Sequence, residues 1–397
     1  MDTIYDWNED TIYFLRSVNK LYIYGAGNWG RIITKFCVIN GIPVKAVIVS
    51  DKANNIDAIY RIPVVNISEI DDTNATCLVA IDNAPGREVV KMLKESLWKS
   101  VIQISNVPVG FEGYEYNVKL SPEWYEEEVK LLFWNKTKQI LNIDCPQSYN
   151  EKIQWLKLRG YTSEMTRLAD KYLVREWVKK KIGEEYLIPL LGVWDNYDDI
   201  NFDKLPNQFV LKCNHGSSYN YIIDDKENVN KEKMKADFSI WMSEDFALNS
   251  FEMQYQNIDH KIIAEKYMIE DDMVDLPDYK FFCFDGVVYC SYTMIDYTHD
   301  HSNGKIGFFD RDYNLLPYYR KDFSPITKQM PKPENYEKMV EIAERLSVGF
   351  AHVRVDLYDI KGKVYFGEMT FTNASGFTKY VPEEFDYILG RCWKMSL

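Results

Sequence analysis

The sequence predicts an α/β protein in two parts: a short unit built on a parallel sheet, then a larger α+β body. Three observations predict it. The chain has 397 residues, too long for one ordinary core at about 150 residues per domain. Between residues 18 and 106, short β-rich runs alternate with helical patterns; that order builds a parallel sheet covered on both faces. Beyond residue 145 helices come first, then strands joined by Asp285-Gly286 and Lys361-Gly362, turn dipeptides that predict antiparallel hairpins. The expected division is 1–108, a helical connector over 109–144, and 145–397.

In the first unit, Leu21-Tyr22-Ile23-Tyr24 reads as a strand that stops at Gly25-Ala26-Gly27-Asn28-Trp29-Gly30. Residues 31–39 follow with apolar residues at helical spacing, and Gly41 ends that helix. A second strand, 44–49, closes at Ser50-Asp51; a strand at 76–81, a helix at 87–97 and a strand at 101–104 complete the alternation. Residues 122–140 read as a helix, with Ser121 as N-cap and Pro122 in the first turn. In the second part, helices are expected at 150–159 and 163–183, and strands at 208–213, 261–268, 279–284, 287–294, 351–358 and 363–369.

Composition narrows the function. Hydrophobic residues make up 46% and charged residues 27%, an ordinary globular balance. Aromatic residues reach 15%, enough to fill large cores and leave rings for flat ligands such as purines or sugars. The net charge of -13 argues against a broad nucleic-acid or anionic-membrane footprint. Cys37, Cys77, Cys145, Cys213, Cys283, Cys290 and Cys392 are scattered without a C-x-x-C pair, which suits reduced thiols in the cytoplasm. Five His without ligand spacing give no zinc signature. The acidic N-terminus lacks an apolar signal core, and no run of 18 apolar residues predicts a membrane span.

Gly25, Gly27 and Gly30 follow a strand and open a helix. Bare backbone and a helix N-terminus in that context can hold a pyrophosphate. Asp51 lies 21 residues past Gly30, the right distance for an acid that holds a ribose. The competing reading is a glycine-rich turn kept for close strand–helix packing. At about 90 residues the unit matches one half of a dinucleotide fold. It resembles the short Rossmann-like domain at the N-terminus of some bacterial sugar-modifying enzymes.

The second part holds more chemistry. Arg354 and Asp356 share a strand face by period two, and Glu368 ends the return strand of the same hairpin. Pairing across the hairpin brings the two carboxylates together, a hard-oxygen set that suits Mg²⁺ with nucleotide phosphates. The bland alternative is an exposed hairpin with alternating charge. Lys212 ends a strand and leads into His215, Gly216, Ser217 and Ser218, where an ammonium, amides and hydroxyls can clamp phosphates; a polar turn is the alternative. Glu265 ends an apolar run and can read an adenine edge. Asp278 and Lys280 share a face, an acid for ribose and a base for phosphate.

These stretches resemble one family. NEKIQWLKL, LADKYLVREWVKKKIGEEYLIPLLGVWD, FVLKCNHGSS, IIAEKYM, LPDYKFFCFDG, RVDLYD and YFGEMTFTNASGF, in order from about 145 to 390, resemble the TupA-like branch of the ATP-grasp superfamily, named for teichuronopeptide biosynthesis. The resemblance implies an ATP-grasp domain binding ATP and Mg²⁺ between two α+β subdomains. It implies activation of a carboxylate as an acyl phosphate, which an amine or thiol attacks. Arg175 and Lys212 then match the phosphate-contacting bases, His215 to Ser218 the phosphate-covering loop and Glu265 the adenine hinge. Asp278 matches the ribose acid, with Asp271 and Asp272 as competitors. Asp356 and Glu368 match the metal carboxylates, Arg354 the catalytic arginine that stabilises the transferring phosphoryl group, and Lys280 the basic residue of an Asp-x-Arg/Lys pattern in some amino-acid ligases. Thr370 stands where such ligases usually carry Asn, with Asn373 near enough to help.

Two functional classes follow. One is an ATP-dependent carbon–nitrogen ligase that joins an amine or amino acid to a carboxylate on a small molecule or sugar nucleotide, such as a uronic acid of a surface polysaccharide. The other is a glycosyltransferase or sugar-nucleotide binder using the glycine loop.

Overall fold

A computed structural model describes residues 4–5, 7–53, 55–71, 74–96, 98–107, 114–268, 276–296 and 304–395. The chain divides into two compact units, Met1–Ile140 and Leu141–Leu397.

In the first unit the strands are β1 (Ile4–Tyr5), β2 (Leu21–Tyr24), β3 (Val44–Val49), β4 (Ala58–Ile59), β5 (Ile62–Asn66), β6 (Thr76–Val79) and β7 (Ser100–Ile104). Among the described residues they form one sheet in the order β1-β7-β6-β2-β3-β5-β4. All pairs are parallel except β4 with β5. β6 is buried along its whole length, as a sheet covered on both faces requires. Helices Asn28–Ile39 and Asn83–Glu95 follow β2 and β6, the strands on either side of the point where the order reverses.

Residues 109–144, expected as a connector, mostly belong to this unit. The helix Tyr125–Thr137 buries Glu128, which accepts from Lys35 Nζ at 3.0 Å and from the Tyr60 hydroxyl. Lys35 also donates to Asn117 Oδ1 at 2.7 Å. A charge buried this way is tolerable only with its partners in place, so the helix is tied to the strand–helix unit and the division falls at 140/141.

The second unit contains two main sheets. The smaller joins β8 (Leu190–Trp194), β9 (Phe209–Cys213), β10 (Asn220–Ile223) and β11 (Ile262–Lys266) in the order β10-β9-β11-β8. The larger joins β12 (Asp278–Phe284), β13 (Val287–Ile295), β14 (Lys305–Asp310), β16 (Ser324–Pro325), β17 (His352–Ile360) and β18 (Lys363–Thr370) in the order β16-β14-β13-β12-β17-β18. β15 (Tyr319–Arg320) pairs with β19 (Tyr380–Val381). β8, β10, β14 and the two-residue strands β15, β16 and β19 lie beyond those expected from sequence.

One face of the larger sheet carries Phe281, Val355, Leu357 and Met369, which join the buried side of the helix Tyr336–Ser347 in the main core. Alternation sends Lys280, Arg354 and Asp356 to the other face. The helix Tyr149–Trp155 enters under a capping box: Ser148 accepts from the Glu151 amide, and Glu151 accepts from the Ser148 amide.

Candidate functional site

Three neighbouring strands build the site. Lys280 lies opposite Asp356 in the β12–β17 pairing, and Asp356 lies opposite Glu368 in the β17–β18 pairing. The β17–β18 register shifts between Asp356 and Leu357, so Gly367 is an extra residue facing no partner. This bulge allows two incompatible demands to be met. Phe366 pairs with Leu357 and stays in the core, while Glu368 turns to the polar face beside Asp356. A Cβ at Gly367 would lie 3.0 Å from Tyr358 Cε2 and 3.1 Å from the Asp356 carbonyl oxygen, so a larger residue there must displace its neighbours by a few tenths of an ångström.

Arg354 is the hub. Nε and Nη2 donate to the two oxygens of Asp356, each at 2.7 Å, a fork-on-carboxylate geometry. Nη2 also donates to Glu368 Oε1 at 2.9 Å and to Thr370 Oγ1 at 3.0 Å. Nη1 donates to Asn373 Oδ1 and, at 3.4 Å, to the Tyr292 hydroxyl. Thr370 in turn donates to Glu368 at 2.7 Å. Lys280 Nζ lies 2.5 Å from both Asp278 Oδ2 and Asp356 Oδ2.

The electrostatics follow from this packing. Burial opposes charge on Lys280, but Asp278 and Asp356 outweigh it and hold its proton firmly. Burial likewise opposes Arg354, and Asp356 overcomes it. Glu368, partly exposed, is held below the usual carboxylate range by Arg354, Lys280 and Lys171. Asp278 goes the other way, raised to about 6 by burial against the pull of Lys280. Three carboxylates thus face two strong cations.

Asp356 and Glu368 were expected as Mg²⁺ carboxylates, with Thr370 and Asn373 beside them. The structure brings all four around Arg354. Among the described residues no group of three or more His, Cys, Asp or Glu is arranged to hold a metal alone. Two carboxylates in register suit a cation that keeps phosphate and water ligands. One carboxylate oxygen nearby, Asp278 Oδ1, is buried without a hydrogen-bond partner. The donor set therefore fits Mg²⁺ carried with a nucleotide.

Arg175, expected as a phosphate-contacting base, pairs with Glu265 at 3.2 Å and donates to the Ile188 carbonyl at 3.0 Å. Lys212 pairs with the same Glu265 at 2.6 Å. Glu265 is thus held between two cations, and an adenine amino group reaching it competes with both. The position next to the loop belongs to Lys171. Its amide donates to the Asn214 carbonyl at 2.9 Å and its Nζ to the Gly216 carbonyl at 2.5 Å. Burial lowers its pKa, while Glu368 pulls it back up. Its sequence signal was Asp170 immediately before it, which accepts from the amides of Tyr172 and Leu173 and turns the chain.

The His215 ring is buried, stacked 3.6 Å from His260, with Nε2 bonded to the Trp241 carbonyl at 3.0 Å. Burial pushes it down to about 4, so the ring anchors the loop that runs on to Gly216, Ser217 and Ser218. Gly216 and Ser218 hold positive φ of 74° and 64°, and Ser217 and Ser218 are exposed. Asp271 and Asp272 lie outside the described residues.

In the first unit, Gly25 has φ 110°, and a Cβ at Gly30 would come within 1.7 Å of the Gly25 carbonyl oxygen. Both glycines are needed for packing. Gly27 caps the helix Asn28–Ile39 without a side-chain bond, and a Cβ there would meet nothing within 4 Å. Asp51 is exposed and accepts from the Ala53 amide at 2.9 Å, closing its own turn.

The family model for TupA-like ATPgrasp matches residues 151–394. A search of curated proteins finds no match. Solved structures with similarity include D-alanine–D-alanine ligase from Bacillus anthracis, at 14% identity, 94% of this chain, 97% of that chain and a TM-score of 0.32. Phosphoribosylamine–glycine ligase from Thermotoga maritima is similar at 10% identity, 88% of this chain, 68% of that chain and a TM-score of 0.30. The biotin carboxylase domain of 2-oxoglutarate carboxylase from Hydrogenobacter thermophilus is similar at 12% identity, 89% of this chain, 64% of that chain and a TM-score of 0.33. With the family match spanning more than half of the sequence and covering the strands that carry Lys280, Arg354, Asp356 and Glu368, this chain belongs to the TupA-like ATP-grasp family and is an ATP-grasp enzyme.

Proposed function

We propose that this chain is an ATP- and Mg²⁺-dependent carboxylate–amine ligase that works through an acyl phosphate. Its carboxylate is on a uronic acid or related surface-polysaccharide precursor, and its amine is a small amine or amino acid. The observation that carries the reading is Arg354 forked across Asp356 and touching Glu368, with Lys280 opposite.

A carboxylate is a poor electrophile at neutral pH, and phosphoryl transfer converts it into a good one. That transfer needs positioning and charge stabilisation more than covalent help from the protein. Lys171, Lys212 and the amides around Gly216 and Ser217 hold the phosphates. Arg354 and Lys280 offer donors to the moving phosphoryl group. Asp356 and Glu368 would hold Mg²⁺, which when bound neutralises phosphate charge. The substrate carboxylate oxygen bonds to the γ-phosphorus as the bond to ADP breaks; the amine nitrogen then bonds to the acyl carbon, the acyl–phosphate C–O bond breaks, and the nitrogen gives up one proton to the departing phosphate. The loop at 214–218, closed over the phosphates, keeps water from the acyl phosphate.

Nucleotide and phosphate release across a panel of UDP-uronates and amines tests the reading. ADP and phosphate, with an amide product, are expected. AMP with pyrophosphate, or UDP-sugar turnover without ATP, overturns it.

A further inference from the structure

A buried polar chain connects the Arg354 cluster to the first helix of the second unit. The turn after β18 holds Ala374, Ser375 and Gly376 at φ 46°, 54° and 69°. Two of the three carry a Cβ, and each non-glycine residue in this region costs on the order of 1 kcal/mol or more. Such a turn persists only if its surroundings over-determine it. Gln154 does so: its Nε2 donates to the Ser375 carbonyl at 3.0 Å and to the Gly376 carbonyl at 2.8 Å.

The amide orientation of Gln154 is itself set. Lys157 Nζ donates to its Oε1 at 3.0 Å, and an ammonium or amine that donates leaves only the NH₂ to face the carbonyls. Lys157 is fully buried, with Nζ 4.4 Å from the Phe377 ring centroid. On the far side of the turn, Thr372 donates to Glu252 and accepts from Gln254 at 2.7 Å. Asn373 is clamped between these supports, fully buried, with Oδ1 on Arg354 Nη1.

We propose that Gln154, locked by Lys157, is a positioning residue that holds the left-handed turn 374–376 so that Asn373 keeps the Arg354 guanidinium aimed at Asp356 and Glu368. It touches no substrate and acts through Asn373. Its catalytic consequence rests on the function proposed above for Arg354; its structural content does not.

The full-length chain with Gln154→Leu tests it. Two readouts need no activity: hydrogen exchange of amides 374–378, and the Arg354 Nε–H resonance, assigned with Arg354→Lys. Exchange is expected to speed by about tenfold or more, and the Arg354 signal to shift or broaden. Where the wild type is active, kcat should fall by roughly 10- to 100-fold with KM for ATP near wild type, as expected of a misaimed group. Gln154→Glu keeps an acceptor for Lys157 but opposes two carbonyls, so it should behave like Gln154→Leu. Rescue by Gln154→Glu would reduce the role to pairing with Lys157 and overturn the proposal. Should Gln154→Leu fail to fold, Gln154→Met, closer in length and equally without the two N–H donors, takes the same readouts. Unchanged exchange and an unchanged Arg354 signal overturn the proposal whatever the activity. Absence of wild-type turnover on every substrate pair counts against the proposed function, while exchange and resonance still decide Gln154.

Discussion

Asp356 and Glu368 share Arg354 but should respond differently to the loss of their charge. The Asp356 side chain is 1% exposed and the Glu368 side chain 41%. Asp356→Asn removes the carboxylate that Arg354 and Lys280 share, leaving Arg354 on Glu368 and Lys280 on Asp278, and should cost roughly 1.5–3 kcal/mol of stability, read as a denaturant midpoint. Glu368→Gln should melt near wild type and lose most phosphate release; a variant with full turnover removes Glu368 from the site. A pH effect comes from two other buried rings. His352 is pushed down to about 3 by burial, and His215 to about 4. An unfolded histidine takes its proton near 6.5, so below that pH the unfolded chain binds more protons than the folded one. Stability is therefore full above about pH 6.5 and lost as pH falls toward 4, by up to about 1.4 kcal/mol per unit for each ring. Asp278 and Asp386, raised to about 6 by burial, act in the opposite sense over the same range, so the histidine slope is read as the difference between wild type and His352→Gln in unfolding midpoints from pH 7.5 to 4.5. Arg354, Asp356 and Glu368 were legible because strand alternation and a hairpin set their faces locally. The partners of the His215 ring were not, because Trp241 and His260 come from elsewhere in the chain.

At the scale of the element, the bulge at Gly367 and the glycine loop carry the argument. Period two alone places residues 366 and 368 on one face; the extra residue separates them and sends Phe366 to the core. Sequence pattern predicted the hairpin but not this shift, since the need for it arises only when the core claims Phe366. In the first unit, Gly30→Ala should destabilise by roughly 2–4 kcal/mol or prevent folding, because its Cβ would collide with the Gly25 carbonyl. Gly27→Val should melt like wild type, since a Cβ there meets nothing. Gly27→Val thus reports cleanly on ligand binding. Unchanged KM for every sugar nucleotide assigns the loop to packing, and a raised KM with unaltered ATP binding assigns it to substrate.

For the whole molecule, the division at 140/141 has a direct consequence. Residues 141–397 contain Lys171, Lys212, Lys280, Arg354, Asp356 and Glu368, and should bind ATP with Mg²⁺ without the first unit. Calorimetry with an ATP analogue checks this; no heat in the presence of magnesium counts against it. Among the described residues no helix is long and apolar enough to cross a membrane. By itself the sequence determined the α/β-then-α+β order, the strand that precedes the glycine loop, and the hairpin carrying the two carboxylates. Periodicity, turn residues and spacing are local, and these features depend on little else. Only the tertiary structure decided that the helix Tyr125–Thr137 belongs to the first unit, because Glu128 needs Lys35, 93 residues away. It likewise decided that Lys171 donates to the Gly216 carbonyl while Arg175 pairs with Glu265 on β11. Long side chains go to whichever distant partner satisfies their charge, and that partner is fixed only once the chain has packed.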